Sequence, residues 1–200
     1  MTKIVEVLSG DCASIDETWC TAHASVTLIR EGSIVCLVDC GAPYESKKLI
    51  DALNAVDVPC GIVTHVICTH GHIDHIGNMA LFSNAEIVLN ADWSAPPNRY
   101  RAIDWSEPHL LSDKVTIEKF AGHTDCDLAV FVDDPDSKTV CIAGDLFECE
   151  ADLNDASIWQ RNSVNTEQQK RSRDSILKRA EYIIPGHGRG FFVEQTVSAS

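Results

Sequence analysis

Residues 69–75, Thr-His-Gly-His-Ile-Asp-His, hold four metal-ligating side chains, His70, His72, Asp74 and His75. His70 and His72 are two positions apart, so an extended backbone places both imidazoles on one side of the chain. Neutral imidazole nitrogens and carboxylates are ligands that zinc and similar divalent ions accept. A lone histidine is more often a core or capping residue. Four ligand-type side chains this closely spaced instead predict a metal site.

The flanking segments are expected to direct these side chains toward one point. The apolar, β-branched run from Ile62 to Thr69 predicts a buried strand that ends at the first histidine. Gly71 permits a tight turn there. A short helix is predicted from Ile76 to Phe82. Asp74 and His75 would then face the site from a second direction.

Three further ligand-type residues share one sequence context. His123, Asp145 and His187 each follow an apolar, strand-like run and adjoin a glycine. Strand ends are where open sheets present functional groups, and glycine allows the backbone to approach a ligand closely. The recurrence of this context predicts that the three residues contribute to the same site.

Composition limits the class of protein. A chain of 200 residues with 44% apolar and 23% charged residues is typical of a globular protein, so residues 1–200 are expected to form one domain. No apolar run has the length of a membrane span, and the N-terminus lacks the pattern of a secretion signal. Nine cysteines without a Cys-x-x-Cys pair favour a reducing compartment, the cytosol or nucleus.

Charge is distributed unevenly along the chain. The net charge of −14 argues against general attraction to nucleic acid or to a membrane. Residues 161–189 nevertheless contain seven Lys or Arg against three Asp or Glu, a local net of +4. A basic helix at 166–182 could bind phosphates beside His187. Equally, it could be a solvated helix face whose long side chains cover apolar surface.

The hydrophobic pattern predicts strands and helices in both halves of the chain. Strands are expected at residues 2–8, 24–31, 34–39, 86–89, 115–121, 127–133 and 139–143. Helices are expected at 45–56 and from Thr166, where Thr-Glu-Gln-Gln matches a capping box. Residues 91–113 lack a clear hydrophobic periodicity and are predicted to form a long surface loop near the mouth of the site. Residues 134–137 are predicted to form a turn. Two packed sheets with helices outside would satisfy this pattern.

The motifs together resemble the metallo-β-lactamase superfamily. Four of them occur in the superfamily's order: Thr69-His-Gly-His-Ile-Asp-His75, Gly122-His123-Thr124, Gly144-Asp145 and Gly186-His187-Gly188. Val38-Asp39-Cys40-Gly41 is similar to its first motif. The resemblance spans residues 38 to 188. It implies an α+β fold, a four-layer αβ/βα sandwich with the site at the sheet edge.

The resemblance also implies roles for individual residues. His70, His72 and His123 would bind one divalent ion, Asp74, His75 and His187 a second, and Asp145 would bridge both. Asp39 would support the ligand loop. Zinc is the expected metal, with iron and manganese as alternatives. Asp74 and Asp145 are the expected catalytic residues of a hydrolase that uses a hydroxide bridging the two ions. Asp145 stands where several true β-lactamases carry cysteine, so antibiotic hydrolysis is not expected.

Within the superfamily, the segments Cys68–Phe82 and Ala143–Glu148 resemble the family of metallo-β-lactamase domain-containing protein 1. That family is associated with endonucleolytic processing of histone pre-mRNA and with dimers. The leading prediction is therefore a metal-dependent phosphodiesterase, an endoribonuclease acting on RNA and forming a homodimer. The alternative is a hydrolase of small anionic esters or thioesters, similar to glyoxalase II. A third hypothesis is a metal-binding module without catalysis. His23 and His109 are the remaining candidates for an acid that protonates the leaving group, and each is expected to be structural instead. His65 is expected to lie within the strand.

Overall fold

The computed structural model describes residues 2–133 and 138–194. Strands occupy β1 (Lys3–Leu8), β2 (Asp11–Ser14), β3 (Cys20–His23), β4 (Val26–Glu31), β5 (Ile34–Val38), β6 (His65–Cys68), β7 (Glu86–Leu89), β8 (Asp92–Ala95), β9 (Arg99–Ala102), β10 (His109–Leu110), β11 (Val115–Phe120), β12 (Asp127–Val132), β13 (Val140–Gly144), β14 (Tyr182–Pro185) and β15 (Phe191–Phe192). The α-helices are α1 (Ser46–Ala55), α2 (Ile73–Ile76), α3 (Ser157–Gln160) and α4 (Thr166–Arg179).

Two mixed sheets contain most of the strands. The first has the order β1-β4-β5-β6-β7-β8-β9 and the second β10-β11-β12-β13-β14-β15, while β2 and β3 form a separate hairpin. The central pairs β5-β6, β6-β7 and β13-β14 are parallel, and the outer pairs are antiparallel. Parallel neighbours end at the same edge of a sheet. Each sheet therefore presents the loops after its parallel strands at one common edge.

Three apolar clusters show how the layers pack. Val38 and Ile67 of the first sheet share a buried cluster with Val130 and Ile142 of the second, so the sheets lie face to face. A second cluster joins the other face of the first sheet to α1, and a third joins the other face of the second sheet to α4. The order helix, sheet, sheet, helix confirms the predicted four-layer α+β sandwich.

Alternating side chains explain this layering. In β12 every residue is buried, with Leu128, Val130 and Val132 in the cluster between the sheets and Ala129 and Phe131 in the cluster under α4. Successive side chains of a strand point to opposite faces, so a continuous apolar run fits a strand covered on both sides.

The prediction of a long loop over residues 91–113 was wrong. The segment contains β8, β9 and β10, and β8 and β9 extend the first sheet as an antiparallel hairpin. The adjacent prolines occupy the hairpin turn together with Asn98, whose φ is +52°. Only Trp93 of this hairpin is buried, and β9 is exposed throughout. An edge hairpin of this kind leaves little hydrophobic periodicity in the sequence.

The elements around the histidine motif also differ in their boundaries. The strand begins at His65 because Cys60–Ile62 form a 3₁₀ turn. The predicted helix over 76–82 is replaced by α2, which contains Asp74 and His75, and by a 3₁₀ turn at Met79–Leu81. Asn78 lies between α2 and this 3₁₀ turn, and its side-chain amide donates to the carbonyls of Cys40 and Ala42. This tertiary contact competes with a continuous helix.

The start of α4 agrees with the predicted helix, but its cap does not. The N-cap is Asn165, whose side chain accepts a hydrogen bond from the backbone N–H of Gln168 at 3.0 Å. The predicted capping box at Thr166 is therefore shifted by one residue. The turn predicted at 134–137 lies outside the described residues.

Candidate metal centre

The predicted ligands lie at the ends of strands from both sheets. His70 and His72 follow β6, and Asp74 and His75 lie on α2. The other three follow strands β11, β13 and β14. A backbone hydrogen bond from Leu128 N–H to Thr69 O, 2.6 Å long, joins the two sheets beside the ligand loop. The structure thus brings all seven side chains together, namely His70, His72, Asp74, His75, His123, Asp145 and His187.

A first set of four atoms converges on one side of Asp145. His72 Nδ1 is 2.9 Å from His70 Nε2 and 3.1 Å from His123 Nε2. Asp145 Oδ2 is 3.3 Å from His123 Nε2 and 3.6 Å from His70 Nε2. Three imidazole nitrogens and one carboxylate oxygen pointing at a common centre form a donor set suited to a divalent ion.

A second set of ligand atoms lies beside the same carboxylate. Asp74 Oδ2 is 3.7 Å from both His75 Nε2 and His187 Nε2. Asp145 contacts this set as well, with Oδ1 3.1 Å from His75 Nε2 and Oδ2 3.2 Å from His187 Nε2. The geometry places Asp145 between the two sets, as a bridging ligand would be.

Buried polar atoms at this point lack hydrogen-bond partners among the described residues. They include Asp74 Oδ2, and also His75 Nε2 and Asp145 Oδ1, which face each other at 3.1 Å without forming a hydrogen bond of good geometry. A buried polar atom without a partner carries a desolvation cost, which coordination to a cation would remove. This observation, together with the chemistry of the donor set, shows that the residues fit divalent metal ions.

Burial keeps two of the histidines neutral. It lowers the pKa of His70 well below the usual imidazole value, and the neighbouring His75 lowers it further. Burial also lowers the pKa of His123 to about 4. Neutral imidazole is the form that binds metal, so these side chains are prepared for ligation near pH 7.

The carboxylates reverse this effect on the other two buried histidines. Burial alone would lower the pKa of His75, but Asp145 and Asp39 raise it well above the usual value. Burial likewise opposes charge on His187, yet its contact with Asp145 raises the pKa to about 9. The same contacts act on the pKa of Asp145, where the charge of His75 and the hydrogen bond from His187 outweigh burial and hold it well below that of an ordinary carboxyl.

Asp39 supports the histidine loop, as the resemblance implies. Its Oδ1 accepts the Thr69 backbone N–H at 2.7 Å, and its Oδ2 accepts the Thr69 hydroxyl at 2.8 Å. Oδ2 also lies 2.8 Å from His75 Nδ1, which leaves Nε2 of that ring facing the site. Contacts of this kind set the tautomer and orientation of a metal-binding histidine.

The hairpin β2–β3 and a glycine position the last ligands. The carbonyl of His23 lies 3.1 Å from His187 Nδ1, which again turns Nε2 toward the site. Gly186 packs directly against Asp145 Oδ1, where a Cβ would collide with the carboxylate. The requirement for glycine here follows from this close approach.

Helix α4 holds the turn that carries Asp145. Gln169 Nε2 donates to the Asp145 carbonyl at 2.9 Å, and Arg173 Nη1 donates to the Leu146 carbonyl at 2.7 Å. Arg173 also forms a buried ion pair with Asp152 at 2.6 Å. Sequence reasoning missed these supporting residues, because no local pattern links a helix residue to a turn more than twenty positions away.

Sequence reasoning also missed Glu148, a buried carboxylate close to Asp145 and His187. Burial and the charge of Asp145 raise the pKa of Glu148 to about 7. Its position three residues after Asp145, within an otherwise apolar turn, was the available signal. An acidic residue in an apolar run is rarely buried without a partner.

The remaining histidines have structural contacts. His65 Nδ1 lies 2.8 Å from the Thr64 hydroxyl, and the rings of His65 and His109 pack against Trp93. His23 Nδ1 is 3.1 Å from Glu45 Oε2. These contacts agree with the expectation that all three side chains are structural.

Much of the charge on the basic helix is compensated within the protein. Arg173 is buried against Asp152, Arg179 pairs with Glu118 and Asp133, and Lys170 pairs with Asp174. Of the two interpretations of this segment, the contacts favour a structural role for most of its basic residues.

Comparison with known proteins agrees with the geometry. Residues 22–91 match the family model described as metallo-beta-lactamase superfamily. A Xenopus laevis protein named metallo-beta-lactamase domain-containing protein 1 is 44% identical over 177 residues, which cover 86% of this chain and 73% of the relative. The chain belongs to the metallo-beta-lactamase superfamily. Members of this superfamily are generally hydrolases. The Homo sapiens protein of the same name is 36% identical to this chain over 180 residues, which cover 88% of this chain and 66% of the relative.

Solved structures show the same fold. A Thermotoga maritima protein assigned to the metallo-beta-lactamases superposes with a TM-score of 0.74 at 16% identity, covering 96% of this chain and 99% of its own. A dizinc quorum-quenching lactonase in complex with its product N-hexanoyl-L-homoserine gives a TM-score of 0.64 at 14% identity, covering 84% of this chain and 74% of its own. These likenesses establish the metallo-beta-lactamase fold.

The chain is shorter than several of its relatives. It spans 64 to 66% of the length of the three mammalian proteins that it matches. Within the described residues, no helix is both long enough and apolar enough to cross a membrane.

Proposed function

We propose that this superfamily member is a dinuclear metal-dependent hydrolase whose substrate is an RNA phosphodiester. The observation that supports the hydrolase most strongly is the convergence of seven ligand side chains in two sets that share Asp145. A role in binding a single ion would not need the second set.

The two sets would hold two ions with different neighbours. His70, His72 and His123 would bind the first, Asp74, His75 and His187 the second, and Asp145 both. When bound, the ions supply Lewis acidity and lower the pKa of a coordinated water to near neutrality. The chain itself orients the ligands through Asp39 and His23 O. Asp74, which is only half-buried, is the proposed acceptor of a proton during hydrolysis.

Charge supports an anionic substrate. Two divalent ions against the carboxylates of Asp74 and Asp145 leave a local charge of about +2 in a chain of net charge −14. A phosphodiester would therefore be attracted to the centre rather than to the surrounding surface. Arg171 on α4 is exposed and has no ion-pair partner among the described residues, so it remains available for a further phosphate contact.

One observation favours the alternative, a small ester or thioester. The internal ion pairs of Arg173 and Arg179 remove much of the basic surface that a long RNA would use. A small anionic ester would need only the metal centre and a few neighbouring contacts.

A parallel substrate assay separates the two candidates. Metal-loaded protein would be incubated with a single-stranded RNA oligonucleotide, S-lactoylglutathione and N-hexanoyl-homoserine lactone, with Asp145→Ala as control. We expect RNA cleavage in the native protein and a loss of at least about a hundredfold in the variant, because both ligand sets lose a member. RNA left intact while the thioester or lactone is hydrolysed would replace the first candidate with the second.

The cysteines support an intracellular, reducing location for this activity. All nine are free thiols, including four that are buried in strands or beside the site. We propose the cytosol or the nucleus as the compartment.

A further inference from the structure

Glu148 is a buried carboxylate, only 2% exposed, on the segment that follows β13. One ligand-type atom from each of Asp145, Glu148 and His187 lies within 4.8 Å of the others. This third set shares two members with the proposed dinuclear centre. Glu148 is therefore placed at the edge of the site, although it is not one of the seven ligands considered above.

Main-chain hydrogen bonds hold Glu148 beside His187. The N–H of Glu148 donates to Asp152 Oδ2 at 2.7 Å, and its carbonyl accepts the N–H of His187 at 2.8 Å. Asp152 is in turn paired with Arg173. These bonds fix the backbone of Glu148 relative to the backbone of His187.

The carboxylate of Glu148 has no Lys or Arg partner among the described residues. Its Oε1 accepts a hydrogen bond from the neutral amide of Asn162 at 3.0 Å. The buried guanidinium of Arg173 is directed to Asp152 and to the carbonyl of Leu146 instead. Two buried carboxylates, Glu148 and Asp145, have one oxygen each within 4.8 Å of the other, while Asp145 Oδ1 faces the His75 imidazole at 3.1 Å. A metal cation beside them would offset their repulsion.

We propose that Glu148 is an additional carboxylate ligand of the metal centre, binding the ion held by His187. The inference rests on the proposed dinuclear function. Ligation by Glu148 would give the two ion positions different sets of donor atoms. The first has three imidazoles and the shared carboxylate, and the second has His75, His187 and the carboxylates of Asp74, Asp145 and Glu148. Because oxygen donors suit manganese and imidazoles suit zinc, the second position takes Mn²⁺ more readily than the first.

Metal titration of the full chain tests this. Protein freed of metal with a chelator would receive one equivalent of Zn²⁺ and then be titrated with Mn²⁺, with free Mn²⁺ followed by electron paramagnetic resonance. We expect Glu148→Gln to weaken Mn²⁺ binding by about tenfold or more, with the first equivalent of Zn²⁺ unaffected. The matched control Glu150→Gln, an exposed residue two positions away, should bind like the native protein. Native-like Mn²⁺ affinity in folded Glu148→Gln would overturn the proposal.

A second variant covers the case in which Glu148→Gln does not fold. Glu148→Asp keeps the charge and shortens the reach of the carboxylate, so the same loss of Mn²⁺ affinity is expected. Retained Mn²⁺ affinity in a folded Glu148→Asp protein would count against ligation through the longer side chain.

Failure of this inference can be distinguished from failure of the proposed function. A native protein that binds only one ion contradicts the dinuclear hydrolase itself, whereas two ions bound equally well without Glu148 contradict only this inference.

Discussion

The two halves of the molecule supply ligands in different ways. The first half contributes His70, His72, Asp74 and His75 from one continuous loop after β6. The second half contributes three ligands from the ends of three strands, with more than sixty residues between His123 and His187. The first arrangement follows from local chain geometry. The second depends on the pairing of β11 to β14 and on the helix packed beneath them.

The supporting contacts differ in the same way. In the first half, the single carboxylate of Asp39 holds Thr69 and His75. In the second half, Gln169 and Arg173 of α4 hold the turn after β13, and Arg173 is itself paired with buried Asp152. Ligands collected from distant strands thus require a larger buried polar framework. Damage to this framework should affect folding as well as ligation.

The largest effect is expected at Arg173. Arg173→Met removes the partner of Asp152, which is fully buried, and the donor to Leu146 O. Leaving a buried carboxylate unpaired costs about 3–5 kcal/mol, so the free energy of unfolding should fall by roughly that amount. Chemical denaturation of the metal-free protein measures it.

The matched control lies on the same helix. Lys178 is exposed in the last turn of α4, so Lys178→Met should change the free energy of unfolding by no more than about 0.5 kcal/mol. Equal effects of the two substitutions would show that the buried framework does not stabilise the second half.

A smaller effect on folding, but a clear effect on ligation, is expected at Asp39. Its φ of +61° is a conformation that asparagine also adopts, so Asp39→Asn should keep the backbone. The amide cannot accept from both Thr69 and His75 as the carboxylate does. Metal affinity should fall by about 10- to 100-fold, as measured by competition with a chelating indicator. Asp51→Asn on the exposed face of α1 is the control, and unchanged affinity in Asp39→Asn would remove its supporting role.

The smallest effect concerns a contact between the two sheets. The hydroxyl of Tyr182 on β14 donates to Glu6 Oε1 on β1 at 3.1 Å. Burial and the nearby Glu6 raise the pKa of Tyr182 to about 12, above its unfolded value. Its contribution to stability should therefore be complete below about pH 10 and be lost as the pH rises through 12. The unfolding free energy of Tyr182→Phe should show a weaker decline over this interval, and an identical decline would exclude the linkage.

The sequence by itself determined the chemistry of the site and much of the layering. Four ligand side chains within residues 70–75, and the recurrence of glycine beside His123, Asp145 and His187, could be recognised because they are local patterns. The continuous apolar run of β12 and the helical spacing of apolar residues in α1 were equally visible, because secondary-structure period and burial act over short distances.

Apart from Asp39, whose role the resemblance already implied, only the tertiary structure decided which distant groups support those ligands. The pairing of Asp39 with His75, of Arg173 with Asp152, and the burial of Glu148 join residues far apart in the chain. The same holds for the edge hairpin within 91–113 and for the interruption of the helix by Asn78. Apart from the hairpin, each of these features depends on a contact between residues distant in the sequence, and such contacts leave no periodicity or spacing in the sequence.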